Sequence, residues 1–460
     1  MLLSRLAMAL VAVSTLAAEP VDWVPARWPW SDPASLDLIE GTPINCLLVS
    51  TWTQAFVEAA AARKLALLSV VPPDGDPVAG ARRAAKAGLA GVVVERELPE
   101  DIARQVAEAA AGLVLIELGP RHRMKLGGAA PVIGTRQGVW PGIQVLEGGA
   151  AKAAPTGSPW IDTNSGFLRA VRAWGHRTIW VGSVPPAGTI VLGERYLQAI
   201  ADCAMAGGRW VVSLDSDFAA RLAKREAAAL RDWKRMAAML AYFERHPEWR
   251  GYEPVGKLAV VQDPENGALL SGGILDMIGA RHTPVRPVPV ARLSPEALAG
   301  SAITVNVAGA ELPAAKQEVL KGFARGGGTL LNAPAGALAG HSPDAATLTL
   351  EKAELERVAD LWRDVQSLIG RRNLGVRLFN VSAMLSNLLA SPDGKTVVLH
   401  LVNYFGYPVE SVTVHLEGTF RSARLLSPNG TEKNLEIYPV EGGVGVDIPS
   451  VSVCATLRLD

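Results

Sequence analysis

Residues 44–71 read INCLLVSTWTQAFVEAAAARKLALLSVV, and this stretch decides the fold. Ile44 to Ser50 is an apolar run, the pattern of a strand covered on both faces. Thr53 to Arg63 follows as a helix with Phe56, Val57 and Ala60 on one side, and Leu67 to Val71 is the next strand. The beat then repeats. Pro77 to Ala87 is helical, with Pro77 suited to the first turn and Gly88 to the C-terminal end. Gly91 to Glu95 is a third strand, a helix opens at Pro99 with Glu100 and Asp101 in its first turn, and Leu113 to Glu117 is a fourth strand. Strands that alternate with helices over short links imply a parallel sheet, because parallel strands need crossover connections.

Outward from this stretch the rhythm falters and then returns. Arg121 to Ala130 shows no clear helix, and short strands are expected at Val132-Ile133 and at Ile143 to Leu146. A helix at Gly166 to Trp174, a strand at Thr178 to Val181, a helix at Glu194 to Ala206 and a strand at Arg209 to Leu214 follow. A long helix with Leu230, Trp233, Ala237, Leu240 and Phe243 on one face closes the unit. The count of strands predicts a (β/α)8, TIM-like barrel, partly degenerate in its middle, over residues 19–250; an open doubly wound sheet is the alternative. Residues 19 to 42, rich in Pro and Trp, read as an irregular lead-in packed on the domain surface.

Two further units are expected. Residues 255–370 restart the alternation, with strands at Leu258 to Gln262, Ile303 to Val307 and Thr329 to Asn332, as a flavodoxin- or amidotransferase-like α/β domain. Residues 376–460 change to short alternating strands with turns at Pro428-Asn429-Gly430 and Glu441-Gly442-Gly443, which predicts a β-sandwich. A chain of 460 residues, 49% hydrophobic, exceeds one ordinary core and fits two or three domains.

Composition removes several function classes. Lys and Arg number 45 against 45 Asp and Glu, so no basic excess exists to hold a phosphate backbone, and nucleic acid is not an expected partner. Cys46, Cys203 and Cys454 are far apart and odd in number, the seven His are scattered, and no HExxH pattern occurs, which disfavours a metal centre. No GxSxG elbow occurs, and the middle unit has no Cys for thiol chemistry. Gly326-Gly327-Gly328 lies between a helix and a strand, the reverse of a phosphate loop, and no cofactor is expected. Arg5, the apolar run Leu6 to Val13 and the small residues Thr15 and Ala17 predict a signal peptide over residues 1–18, hence a periplasmic or secreted protein with no membrane span in the mature chain.

Strand-end carboxylates are the natural candidates for chemistry, because the C-terminal face of such a barrel carries the site. Glu95, Glu117, Asp162 and Asp215 occupy such places. Cleaving a glycosidic bond needs two facing carboxyl groups. Glu117 reads either as a general acid or as a rim charge paired with Arg121 or Arg123. Asp162 reads either as a helix cap, like Thr163 and Asn164, or as a site carboxylate. Asp217 is the expected cap of the helix after Leu214, which leaves Asp215 free to point into the mouth. Glu95, followed by Arg96 and Glu97, reads as a solvated ion pair. Trp140, Trp160 and Trp180 are the candidate sugar platform, and Asn164 the candidate hydroxyl partner. The loop Asp263 to Asn266 follows a strand, where open α/β sheets hold ligands, although an oligomer contact is the preferred role for the middle unit.

Pro159 to Gly166, Trp210 to Asp215, Val319 to Pro334 and Val397 to Tyr404, taken with the domain order, resemble bacterial exported glycoside-hydrolase-like proteins related to the β-galactosidases. Those proteins carry a barrel, an amidotransferase-like trimerisation domain and a C-terminal β-domain. The resemblance implies a carbohydrate substrate or ligand and an oligomer built through the middle domain. It also implies an Asn-Glu pair at the fourth strand and a Glu ending the seventh. Ile116 precedes Glu117 here, and Thr178 to Pro186 holds no carboxylate, so either Asp162 or Asp215 substitutes or the barrel binds glycan without cleaving it.

Overall fold

The computed structural model describes residues 18–141, 143–145, 151–153, 163–175, 177–262, 282–307, 312–332, 352–381 and 383–460. The expected signal peptide, Asp162, Trp160 and the loop Asp263 to Asn266 lie outside these residues, apart from Ala18.

Eight strands form one all-parallel sheet in chain order: β1 Pro25–Arg27, β2 Cys46–Val49, β3 Ala66–Val71, β4 Gly91–Val94, β5 Val114–Gly119, β6 Val132–Thr135, β7 Thr178–Gly182 and β8 Gly208–Val211. The ring closes where Ala26 pairs with Val212. There the Arg27 N–H donates to Val212 O at 2.8 Å and the Val212 N–H to Pro25 O at 3.2 Å. Closure makes this a barrel and removes the open-sheet alternative.

One stave differs from expectation. The supposed lead-in supplies β1, and Ile143–Val145 instead pairs with Ala151–Ala153 in a two-stranded antiparallel unit outside the ring. Three residues of strand, one of them proline, carry too little periodicity to register in the sequence.

Side chains alternate across the wall, as in any barrel. Leu48, Leu68, Val93, Ile116, Leu118, Trp180 and Val211 fill the lumen. Leu47, Val49, Leu67, Val92, Val94 and Val181 face outward onto the helices. Trp180 is fully buried in the lumen, and its neighbour in the adjoining strand is Gly134, where a Cβ would run into Leu118 and Trp180. The helices are α1 Gln54–Ala62, α2 Pro77–Lys86, α3 Glu100–Ala109, α4 Asn164–Arg172, α5 Gly193–Met205, α6 Ser216–Ala223 and α7 Ala227–Glu244. Local chemistry starts them where the sequence suggests: Thr53 Oγ1 accepts from the Phe56 N–H at 3.1 Å, and Asp76 accepts from Val78 and Ala79 ahead of α2. Gly88 closes α2 at φ 70°, a conformation cheap only for glycine.

Beyond the barrel, a four-stranded parallel sheet runs Val285–Pro289, Leu258–Gln262, Ile303–Asn306, Thr329–Asn332 in spatial order. Its two faces are covered separately. Leu258, Val260 and Val305 pack with Trp362 and Val365, and Ala259 and Val261 with Leu320. The C-terminal region holds two antiparallel sheets of six and four strands with Leu399, Leu401, Val414, Val446 and Leu457 between them. Glu253–Pro254, just past the barrel, is an edge strand of the six-stranded sheet.

This sandwich seats on α5 and α7. Arg195 Nη1 donates to Tyr404 O at 3.0 Å, Gln198 Nε2 to Asn403 O at 3.0 Å, and Tyr242 Oη bonds Thr456 Oγ1 at 2.6 Å. His400, 1% exposed, lies in the same seam, bonded to Thr456 and edge-on to Trp249 at 4.8 Å. Burial, followed by the nearby charges of Arg172, His246 and Arg169, lowers its pKa to about 3. An unfolded His titrates near ~6.5, so the folded state holds this ring neutral at a cost that appears only in acid. The stabilisation is complete above about pH 6.5 and is lost as pH falls toward 3, roughly 5 kcal/mol in all. Urea midpoints followed from pH 7 to pH 4 are expected to decline more steeply in the wild type than in His400→Asn; parallel profiles contradict the assignment.

Candidate functional site at the barrel mouth

The alternation that fills the lumen also selects what reaches its mouth. On β1, Ala26 faces the outer layer, so Arg27 faces the lumen. On β4, Val92 and Val94 face outward and Val93 inward. The Glu95 N–H continues the sheet to Val71 O at 3.0 Å, which turns Glu95 inward as well.

The two side chains meet: Arg27 Nη2 donates to Glu95 Oε1 in an ion pair whose members are 16% and 14% exposed. Gly182, ending β7, completes the arrangement; a Cβ there would lie 3.8 Å from Arg27 Nη2 and 3.6 Å from Leu118 Cδ1. The ends of strands one, four and seven therefore converge on one guanidinium–carboxylate pair, and Arg27 Nε is buried without an acceptor among the described residues. Such a group offers donors and acceptors to a hydroxyl-rich ligand, with a charge pair to orient it.

The site residues expected from sequence fall elsewhere. Glu117 sits between two lumen residues, Ile116 and Leu118, so its side chain points to the outer face. There Oε2 accepts from the Leu98 N–H at 2.8 Å and Oε1 from Lys125 Nζ at 2.9 Å, while Lys125 also donates to Leu98 O at 2.9 Å. Glu117 thus pins the loop ahead of α3, with Lys125 as partner in place of Arg121 or Arg123. Glu117→Gln is expected to lower stability by about 1 kcal/mol while leaving ligand affinity unchanged, read by urea denaturation beside a binding titration.

Asp215, 3% exposed, is the cap of α6, and Asp217 is not: Asp215 Oδ1 accepts from the Phe218 N–H at 2.8 Å. Its Oδ2 accepts from Tyr196 Oη at 2.9 Å and from the Val191 N–H at 3.1 Å. Asp217 pairs with Arg221 at 2.7 Å on the helix surface. Burial pushes the Tyr196 phenol well up, which keeps it a proton donor to Asp215.

Asn164, fully buried, grips Val139 through both its N–H and its O at 2.8 Å. Its own N–H, with that of Ser165, donates to Asp202, so a carboxylate from α5 satisfies the start of α4. Burial raises the Asp202 pKa, and the hydrogen bonds from Asn164 and Ser165 oppose that rise. Trp140 is wedged edge-on between Trp210 and Tyr196, with ring centroids at 4.9 and 5.2 Å, and Trp180 lies in the lumen. Neither presents a ring face to solvent, so the expected sugar platform is corrected to packing at these two positions.

The structure therefore gathers Trp140, Asn164 and Asp215 around Val139 and Tyr196, behind the barrel wall, and leaves Glu117 apart from them. Sequence reasoning missed Arg27 and gave Glu95 the wrong partner. The available signal was positional: Glu95 follows an all-apolar strand at its C-terminal end, where barrel sites lie, although position alone does not give its direction.

Several solved structures share this fold from end to end. The α-L-fucosidase isoenzyme 2 of Paenibacillus thiaminolyticus matches over 93% of this chain and 95% of its own, at 11% identity and a TM-score of 0.59. The cold-adapted β-galactosidase of Rahnella sp. R3 matches over 97% and 98%, at 9% identity and a TM-score of 0.56. The β-galactosidase of the psychrophilic Marinomonas ef1 matches over 94% and 98%, at 11% identity and a TM-score of 0.51. What these structures share with this chain is the fold, an eight-stranded parallel barrel with helices followed by β-rich C-terminal units. No protein-family model matches the sequence, and no curated protein does.

Proposed function

We propose that this chain is an exported carbohydrate-binding protein on a glycosidase-type barrel, with its ligand seated at the mouth over Arg27 and Glu95. The observation that carries the reading is the charge pair across the mouth, at the strand ends where barrel enzymes hold their ligands. Fold likeness to glycosidases along nearly the whole chain favours a carbohydrate as the ligand class. Binding is preferred to cleavage because β7 ends at Gly182 and continues into Ser183, so the carboxylate that would face Glu95 is not supplied by that strand.

Hydrolysis is the second reading, and one observation favours it. With β1 counted, β4 is the fourth stave, so the acid implied by the resemblance to β-galactosidases falls on Glu95 rather than on Glu117. A glycan array followed by hydrolysis assays on its hits separates the readings. Binding without turnover, weakened at least tenfold by Glu95→Gln and by Arg27→Gln, is the expected result. Turnover abolished by Glu95→Gln establishes the hydrolase instead, and no glycan bound or cleaved contradicts both.

A further inference from the structure

A cavity lies where all three parts of the chain meet, at the end of the barrel away from the mouth. Its volume is about 310 Å³, at the lower end of the range for small-molecule sites, roughly 300–1,000 Å³. Arg172, at the end of α4, marks the position: a Cβ on Gly207, the residue before β8, would lie 2.8 Å from Arg172 Nη1. The cavity is therefore at the N-terminal face of the barrel, away from Arg27 and Glu95. Its walls come from α4, from the strand Val285–Pro289 of the middle sheet and from Asn387 and Leu389 of the sandwich.

The electrostatics of this cavity are one-sided. Arg169, Arg172, Arg286 and Arg292 line it, and Glu253 is the one carboxylate among the described lining residues. Arg172, Arg286 and Arg292 bond to carbonyl oxygens and, at Arg286, to the Ser301 hydroxyl as well, which satisfy N–H groups without cancelling charge. Arg169 donates to Ser386 O at 2.6 Å, Arg172 to Tyr252 O at 2.8 Å and to the Trp249 and Arg250 carbonyls, Arg286 to Ala299 O at 2.9 Å, and Arg292 to Trp174 O. Arg286 Nε is buried with no acceptor among the described residues. Burial lowers the pKa of both Arg172 and Arg286, the mark of a charge removed from water without full compensation. Pro287, Val288, Pro289 and Leu389 add an apolar wall beside these cations.

We propose that this junction cavity binds a small organic anion, one that sets a carboxylate or phosphate group on the arginines and a less polar body against the proline-rich wall. Guanidinium groups suit both oxyanions because their paired donors match the paired acceptors. Such a ligand would touch all three parts of the chain at once and hold them in one arrangement, independently of whatever occupies the mouth.

The test is calorimetric titration of the full-length protein at low ionic strength with glucose 6-phosphate, glucuronate and inorganic phosphate, and with glucose as the neutral control. Saturable binding of at least one of the two organic anions, tighter than any response to glucose and retained in Glu95→Gln, is the expected result. The tighter of the two organic anions identifies the group as phosphoryl or carboxylate. Arg292→Gln, at an exposed position, should weaken binding at least fivefold, and Glu253→Gln should tighten it severalfold, a gain that misfolding does not produce. Glu95→Gln should leave it unchanged. Absence of saturable binding by any of the three anions overturns the proposal, as does an affinity indifferent to both Arg292→Gln and Glu253→Gln.

Discussion

Trp180→Ala is expected to destabilise the protein by about 3–5 kcal/mol, the range for removing a large buried aromatic and leaving a void. The reasoning is geometric. Trp180 is fully buried in the lumen, 6.5 Å from Trp23 by ring centroid, and Gly134 beside it has no side chain with which to refill the space. Leu118 is a branched core side chain already in contact with its neighbours, so collapse into the void is limited. Urea denaturation of the variant measures the loss. A cost below about 1 kcal/mol would mean that the ring is not packed in the lumen, and would reopen its candidacy for a ligand platform.

The second large effect is at Asp215. Asp215→Ala removes the cap of α6, the acceptor of the Tyr196 phenol and the acceptor of the Val191 N–H in one step. Capping alone contributes about 1 kcal/mol, and the two buried donors left unmet add roughly 1–3 kcal/mol each, so a loss of about 3–7 kcal/mol is expected. Asp215→Asn should cost less, because an amide oxygen can still accept from Phe218. Both variants should bind ligand with affinity within about twofold of the wild type wherever they remain folded, since Asp215 lies behind the wall and not in the mouth. A stable Asp215→Asn protein that has lost all ligand binding would return Asp215 to the site.

Much of the barrel was legible from sequence because its middle staves are buried on both faces. β2 to β5 are nearly uninterrupted apolar runs, and Thr53, Asp76, Pro77 and Gly88 announce the helices between them. β1 was not legible for the same physical reason in reverse. It is three residues long, its lumen-facing residue is the charged Arg27, and its place in the ring depends on hydrogen bonds to a strand nearly two hundred positions later. The short run Ile143–Val145 filled the gap in the count because it has strand composition, yet its partner is a local hairpin.

The candidate site follows this pattern. A strand-end carboxylate can be found in sequence, but its direction depends on the parity of the strand and its partner on the closure of the ring. Glu117 and Glu95 look alike in sequence; one flanking lumen residue more or less sends the first outward to Lys125 and the second inward to Arg27. Asp215 and Asp217 are equally able to cap, and only the positions of Tyr196 and Val191 decide between them. Aromatic residues signal burial and ligand contact with the same letters, so Trp140 and Trp180 could be placed only by the packing around them.

The central claim is that carbohydrate is held at the mouth by the pair that joins strand one to strand four. A double-mutant cycle on the affinity for the best array ligand, using Arg27→Gln, Glu95→Gln and the combined variant, tests it most directly. Each single change is expected to weaken binding at least tenfold, with the double variant hardly weaker than either, because one oriented pair makes the contact. Three variants that all bind as tightly as the wild type would place the ligand somewhere other than the mouth.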